Sequence, residues 1–190
     1  MTMELIPALA DTPTVLFPTY PECMPVTSAM RLQLHPMFQA LCEGISEFTF
    51  ANIYLFRAEH HYQLSRLPDG KLVILGRDGD RRFFMAPFGL PEKALLCTLM
   101  NDHGRMKCVS INQKPALEAI GFTVTPDRDN FDYLYSRQEL AELTGRKFQK
   151  KRNLIKAFIN NHRYEGRPLL EEYLPDALGI LDAWRNEHDS

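Results

Sequence analysis

Between Arg137 and Leu170 stand nine lysines and arginines against three acidic side chains, in a 190-residue chain whose formal net charge is -2. Most of the excess sits in GRKFQKKRNLIKAF at 145–158, which carries Arg146, Lys147, Lys150, Lys151, Arg152 and Lys156. Ammonium and guanidinium groups at this density meet phosphate oxygens through charge-assisted hydrogen bonds, so the block asks for RNA, a nucleotide, or an anionic lipid headgroup. Asn153, within the block, offers an amide for a phosphate or a carbonyl. Just upstream, PDRDNFDYLY holds Asp127, Asp129 and Asp132, a carboxylate cluster with the chemistry of a general base or a metal ligand set. Tyr133, Tyr135 and Phe148 offer rings on which a base or an aminoacyl adenosine stacks. Each motif has a plainer reading: a solvated helix face, Asx-turns paired with Arg128, and buried aromatic packing. Asp132, Tyr133 and Tyr135 are kept as pocket candidates.

Elsewhere the chemistry is thinner. His60 and His61 are adjacent, with no Cys or Glu at ligand spacing, and no metal is assigned. Cys23, Cys42, Cys97 and Cys108 lie far apart without a CxxC pair, and read as reduced, mostly buried thiols. Cys108 and Ser110 alternate on an expected strand but lack a nucleophile signature such as G-x-S-x-G. No catalytic residue is assigned.

The elements that position these groups follow from periodicity and turn chemistry. The apolar fraction of 45% and charged fraction of 24% are those of a folded domain, while a pI near 6.3 argues against wholesale coating of nucleic acid. Pro13, Pro18, Pro21 and Pro25 make residues 1–30 an extended arm. Two short helices are expected at His35–Cys42 and Phe48–Arg57, joined at Glu43-Gly44, with Ser46 as N-cap of the second. YQLSRL, KLVILGR and RRFFMA, separated by Pro-Asp-Gly and Arg-Asp-Gly-Asp, predict a three-stranded antiparallel meander over 62–86. Pro91 opens an expected helix ending before Gly104; a short strand follows at Lys107–Ile111, then a helix at Pro115–Ile120 closed by Gly121. Strand segments are expected at Phe122–Thr125 and Phe131–Tyr135. In the basic helix, Phe148, Ile155, Ile159 and His162 share one side, widened by Leu154 and Phe158 toward a core. This order predicts an α+β fold with a mixed, mostly antiparallel sheet flanked by helices. No window is long and apolar enough for a transmembrane helix, and a cytoplasmic location is expected.

SEFTFANIYLFR at 46–57, RDNFDYLY at 128–135 and GRKFQKKRNLIKAF at 145–158 together resemble the family of the C-terminal domain of phosphatidylglycerol lysyltransferase and its uncharacterised-domain relatives. The resemblance implies an acetyltransferase-like fold used as two tandem modules, of which this chain matches the first. It covers nearly the whole chain and about half of a family member. It divides the chain into the arm at 1–30, an acetyltransferase-like module at 31–145, and linker helices at 146–190. Beyond Pro175 only an acidic amphipathic helix, Ala177–His188, is expected, leading toward a second module absent or truncated here. The implied activity is transfer of an aminoacyl group from aminoacyl-tRNA to a lipid or other small acceptor.

Acyl-CoA chemistry is disfavoured. Enzymes of this fold that use it hold the pyrophosphate on backbone N–H groups between the fourth strand and the next helix. Here that junction, Phe84 to Glu92, contains Pro87 and Pro91, which lack N–H groups, and Glu92 sets a negative charge at the helix start. No cofactor is expected beyond aminoacyl-tRNA as donor. Three functions therefore stand: the aminoacyltransferase, a non-catalytic anion-binding or dimerisation module acting as a homodimer, and an acyl-CoA-dependent N-acyltransferase.

Overall fold

The computed structural model describes residues 15–42 and 44–188, so Pro13 and the first part of the expected arm, together with Glu43, lie outside the described residues. The fold is α+β. By its internal contacts the chain forms two compact units, one through Asp132 and one from Tyr133 onward.

The first unit is built on an antiparallel sheet of β1 (Met24–Pro25), β2 (Gln63–Arg66), β3 (Leu72–Asp78) and β4 (Arg81–Met85), in that spatial order. The meander forms as its turns predict: Leu64 pairs with Ile74 and Leu75 with Phe84. Successive β3 side chains point to opposite faces, and both faces are covered. Leu72 and Ile74 belong to a cluster with Leu34 and Phe38 of α1 (Arg31–Gln39) and Phe50 and Ile53 of α2 (Phe50–Leu55). Val73 and Leu75 belong to a second cluster with Leu96 and Leu99 of α3 (Lys93–His103) and Leu117 of α4 (Lys114–Ala119). Burial on both faces is why KLVILGR reads as an almost unbroken apolar run. Gly76 stands opposite Phe83 across the β3–β4 pair, where a Cβ would lie 2.6 Å from Phe83 Cζ. The missing side chain is the space the ring occupies.

Several local expectations are corrected. The N-cap of α2 is Thr49, not Ser46: Thr49 Oγ1 accepts from Asn52 N–H at 3.2 Å, while the Ser46 carbonyl accepts from Asn52 Nδ2. Helix α3 begins at Lys93 rather than Pro91, and ends as expected against left-handed Gly104, φ 76°. No strand forms at Lys107–Ile111; Met106 makes one parallel bridge to Phe84, and Cys108 at φ 54° turns the chain out of extended conformation. Phe122–Thr125 and Phe131–Tyr135 are not strands. Phe122 and Val124 still pack on the second cluster, so their alternation records burial without a ladder. The four cysteines are free, but three are half-buried and Cys42 is exposed.

Asp78, at the end of β3, gathers three basic side chains. Its carboxylate lies 3.1 Å from His60 Nδ1, accepts from Lys107 Nζ at 3.0 Å, and accepts from Arg105 Nη2. Burial raises its pKa, yet Lys107, Arg105 and His60 outweigh that and hold it below the usual carboxylate range. The knot ties the segment after α3 to the sheet.

Two outcomes are expected. Gly76→Ala should destabilise the protein by about 1–3 kcal/mol, read as a lower urea midpoint at unchanged m. For Asp78, whose folded pKa is depressed, the stabilisation is present above the ordinary carboxylate pKa and lost as pH falls through the folded value. Asp78→Asn should therefore cost about 1–2 kcal/mol at pH 7, and the gap from the parent protein should close in urea melts run below about pH 4.

Candidate functional site

The basic block belongs to the second unit. Ser136 caps α5 (Arg137–Glu142), its hydroxyl accepting from Glu139 N–H at 3.3 Å. The helix then stops because Leu143, φ 49°, and Gly145, φ 83°, both take left-handed backbone. A short 3-10 turn, Arg146–Phe148, leads into α6 (Gln149–Asn161). Arg152 is the bolt of this turn: its Nη1 donates to the Leu143 carbonyl and, at 2.8 Å, to the Gly145 carbonyl, while Nη2 donates to Gln149 Oε1 at 2.5 Å. A guanidinium carries enough donors to satisfy carbonyls that a helix end leaves over.

The other cations differ in what they touch. Lys147 Nζ pairs with Glu139 at 2.7 Å and lies over the ring of buried Phe148, and Arg167 pairs with Glu165 at 2.6 Å. Arg146, Lys150, Lys151 and Lys156 are exposed and have no carboxylate partner among the described residues. Asn153 is exposed, its Oδ1 accepting from Gln149 Nε2 at 2.9 Å. The apolar stripe of α6 is only part-covered: Phe148 is buried, but Leu154 is 72% exposed and Ile155, Phe158 and Ile159 nearly half. The last helix, α7, spans Leu174–His188.

Of the upstream candidates, Asp132 ends the first unit, and its Oδ2 accepts from Ser46 N–H at 3.0 Å, which holds its pKa below the usual range. Tyr133 and Tyr135 open the second unit, exposed and stacked on each other at 6.3 Å between centroids. Asp127 Oδ2 accepts from Asn130 Nδ2 at 2.9 Å and its carbonyl accepts from Asn130 N–H at 3.2 Å, closing a turn; the Asp129 side chain lies outside the described part. Among the described residues no three His, Cys, Asp or Glu side chains gather as metal ligands would.

The remaining nucleophile candidates are structural. Ser110 is buried and forms a capping box with Gln113: its Oγ accepts from Gln113 N–H at 3.1 Å, and Gln113 Oε1 accepts from Ser110 N–H at 3.2 Å. The S-x-x-Q spacing was the available signal for this role. Burial, then the Glu47 charge, pushes the Cys108 thiol up to about 12, leaving negligible thiolate at neutral pH.

Sequence reading also passed over a cavity of about 670 Å3 in the first unit, lined among others by Tyr20, Gln63, Arg77, Arg82, Asp102 and His103. Its signal was there in the hairpin register of LGRDGDRRF, which sets Arg77 opposite Arg82.

With this geometry in view, comparison with known proteins settles the class. Residues 38–190 match the family described as phosphatidylglycerol lysyltransferase, C-terminal. The chain belongs to that family. It is also similar to a solved structure of a conserved protein of unknown function from Bacteroides thetaiotaomicron, at 29% identity and a TM-score of 0.71. The alignment covers 92% of this chain and 61% of that one, so the chain spans less than two thirds of its relative. A search of curated proteins gave no significant match. No helix among the described residues is long and apolar enough to cross a membrane.

The division of labour among cations is checkable by stability alone. Arg152→Ala should cost about 1–2 kcal/mol and speed amide exchange around 143–145, because two carbonyls lose their donor. Lys150→Ala and Lys151→Ala should leave both unchanged.

Proposed function

We propose that the chain works as part of an aminoacyl-tRNA-dependent aminoacyltransferase, in which the start of α6 holds the phosphate backbone of the donor and the acceptor is a lipid or other small molecule. The observation that carries the reading is the row of Arg146, Lys150 and Lys151, without carboxylate partners among the described residues, within a region that matches a lysyltransferase family. Arg152 fixes the turn from which the row projects, and Asn153 adds an amide beside it. Tyr133 and Tyr135 give the same unit a ring surface for a base of the acceptor end.

The chemistry asks little of a protein beyond placement. An acceptor hydroxyl or amine attacks the ester carbonyl joining the amino acid to the terminal ribose. The ribose hydroxyl leaves and takes up the proton the acceptor loses. The phosphate grip supplies orientation, and no catalytic group is assigned to this chain.

Acyl-CoA as donor is disfavoured on the same ground as before: Pro87 and Pro91 precede α3, and Glu92 at its N-cap makes no side-chain cap. One observation favours a second reading, a non-catalytic module that dimerises: the part-covered stripe of Leu154, Ile155, Phe158 and Ile159 is a surface a second copy would bury. Sedimentation over a range of protein concentrations reads that outcome.

The main test is anisotropy of labelled tRNA across a salt series. Three phosphate contacts predict a log-log slope of about -2 to -3. Lys150→Glu with Lys151→Glu should weaken binding about tenfold or more and flatten the slope by about 1–2. Salt-independent binding, or equal binding by the double variant, would overturn the assignment.

A further inference from the structure

Across the β3–β4 pair, Arg77 and Arg82 are direct partners, two positive charges set opposite each other on one side of the hairpin. Such a like-charge pair opposes strand pairing unless something neutralises it. Neither guanidinium has an ion pair or hydrogen bond to a carboxylate among the described residues. The neighbouring alternate positions show the contrast: Asp78 stands opposite Arg81 on the other side of the sheet and is paired with Arg105 and Lys107. On one side the carboxylate is ion-paired; on the other the two guanidiniums have no ion pair among the described residues.

Both arginines line the cavity of about 670 Å3, a size within the roughly 300–1,000 Å3 range of small-molecule sites. Its far wall comes from the arm and from the end of α3. The Tyr20 hydroxyl donates to Asp102 Oδ2 and lies 3.4 Å from His103 Nε2, which fixes three lining groups against one another. Cys23 Sγ donates to Gln63 Oε1 at 3.2 Å, which turns the Gln63 amide N–H2 to other acceptors. Two guanidiniums, Arg77 and Arg82, against the one carboxylate of Asp102 give the lining an excess of positive charge. Apolar surface comes from Pro21, Leu75 and the Tyr20 ring.

We propose that this cavity is a binding site for a small organic phosphate, with the phosphoryl group bridging Arg77 and Arg82. Paired guanidiniums match phosphoryl oxygens in a fork geometry that lysines cannot supply. The Gln63 amide adds a donor beside them. The Asp102 carboxylate, on the opposite wall, accepts from a hydroxyl or amine of the ligand and disfavours a second phosphoryl group there. The site is distinct from the α6 cations, so its failure and theirs are read separately.

Calorimetric titration of the intact chain with inorganic phosphate, glycerol 3-phosphate and adenosine 5′-monophosphate tests the assignment. Saturable binding of at least one is expected, with Arg77→Gln and Arg82→Gln each weakening it about tenfold or more. Arg81→Gln, on the other side of β4, should leave the affinity unchanged. Tighter binding of glycerol 3-phosphate identifies a lipid-headgroup class of ligand, and tighter binding of the nucleotide a nucleotide class. A bound anion should also raise the His103 pKa, followed by its imidazole proton resonances. Both arginines are exposed and each variant removes one of two facing like charges, so the variants should melt no lower than the parent. Absence of saturation with all three compounds, or equal binding by the arginine variants, would refute the site.

Discussion

Strand β3 is the constraint to which the first unit answers. It is paired on both edges and buried on both faces, and each neighbour is selected by what β3 presents. Its even positions call for the aromatic-rich helices α1 and α2, and its odd positions for α3 and α4. Where Gly76 presents nothing, Phe83 fills the gap and brings Tyr62 and His60 edge-on to its ring, at 6.2 and 6.3 Å between centroids. The end of the strand is polar because the two apolar layers end there. Asp78 and Arg77 are consecutive, so the alternation that sorts apolar side chains also sorts charge, carboxylate to one face and guanidinium to the other.

What could be read from the sequence follows from how local each cause was. The meander was legible because turn residues and strand register are local: Pro-Asp-Gly and Arg-Asp-Gly-Asp leave few alternatives to a hairpin. Gly104 and Gly121 ended their helices as expected, both in left-handed backbone. The strands expected at 107–111, 122–125 and 131–135 were not found, since a strand is a relation between segments and their alternation reported only which side chains meet a core. Family membership was legible from three separated segments, and the match over residues 38–190 agrees with it.

The site was legible in residue type but not in occupation. Arg152 and Lys150 are equivalent in a composition count, yet one is bound to two backbone carbonyls and the other meets solvent. Nothing in the sequence marks the difference, because the carbonyls are released by left-handed Leu143 and Gly145, and a left-handed leucine is not a local preference. The same holds for Arg77 and Arg82. Their register was readable, but the cavity between them and α3 depends on where the arm runs.

Charge excess in a segment is a weaker statement than availability of that charge, and here the two diverge in an instructive direction. Of the three acidic side chains between Arg137 and Leu170, Glu139 and Glu165 pair with Lys147 and Arg167, and Glu142 accepts from the Gln138 amide. The acids are thus spent at the two ends of the segment, not on the row beside Asn153. Neutralisation by the segment's own carboxylates, the common fate of a surface basic run, is used up on other partners. What remains on α6 is a compact set of cations held by a turn whose own bolt is an arginine, an arrangement that fixes the spacing of positive charge before any anion arrives.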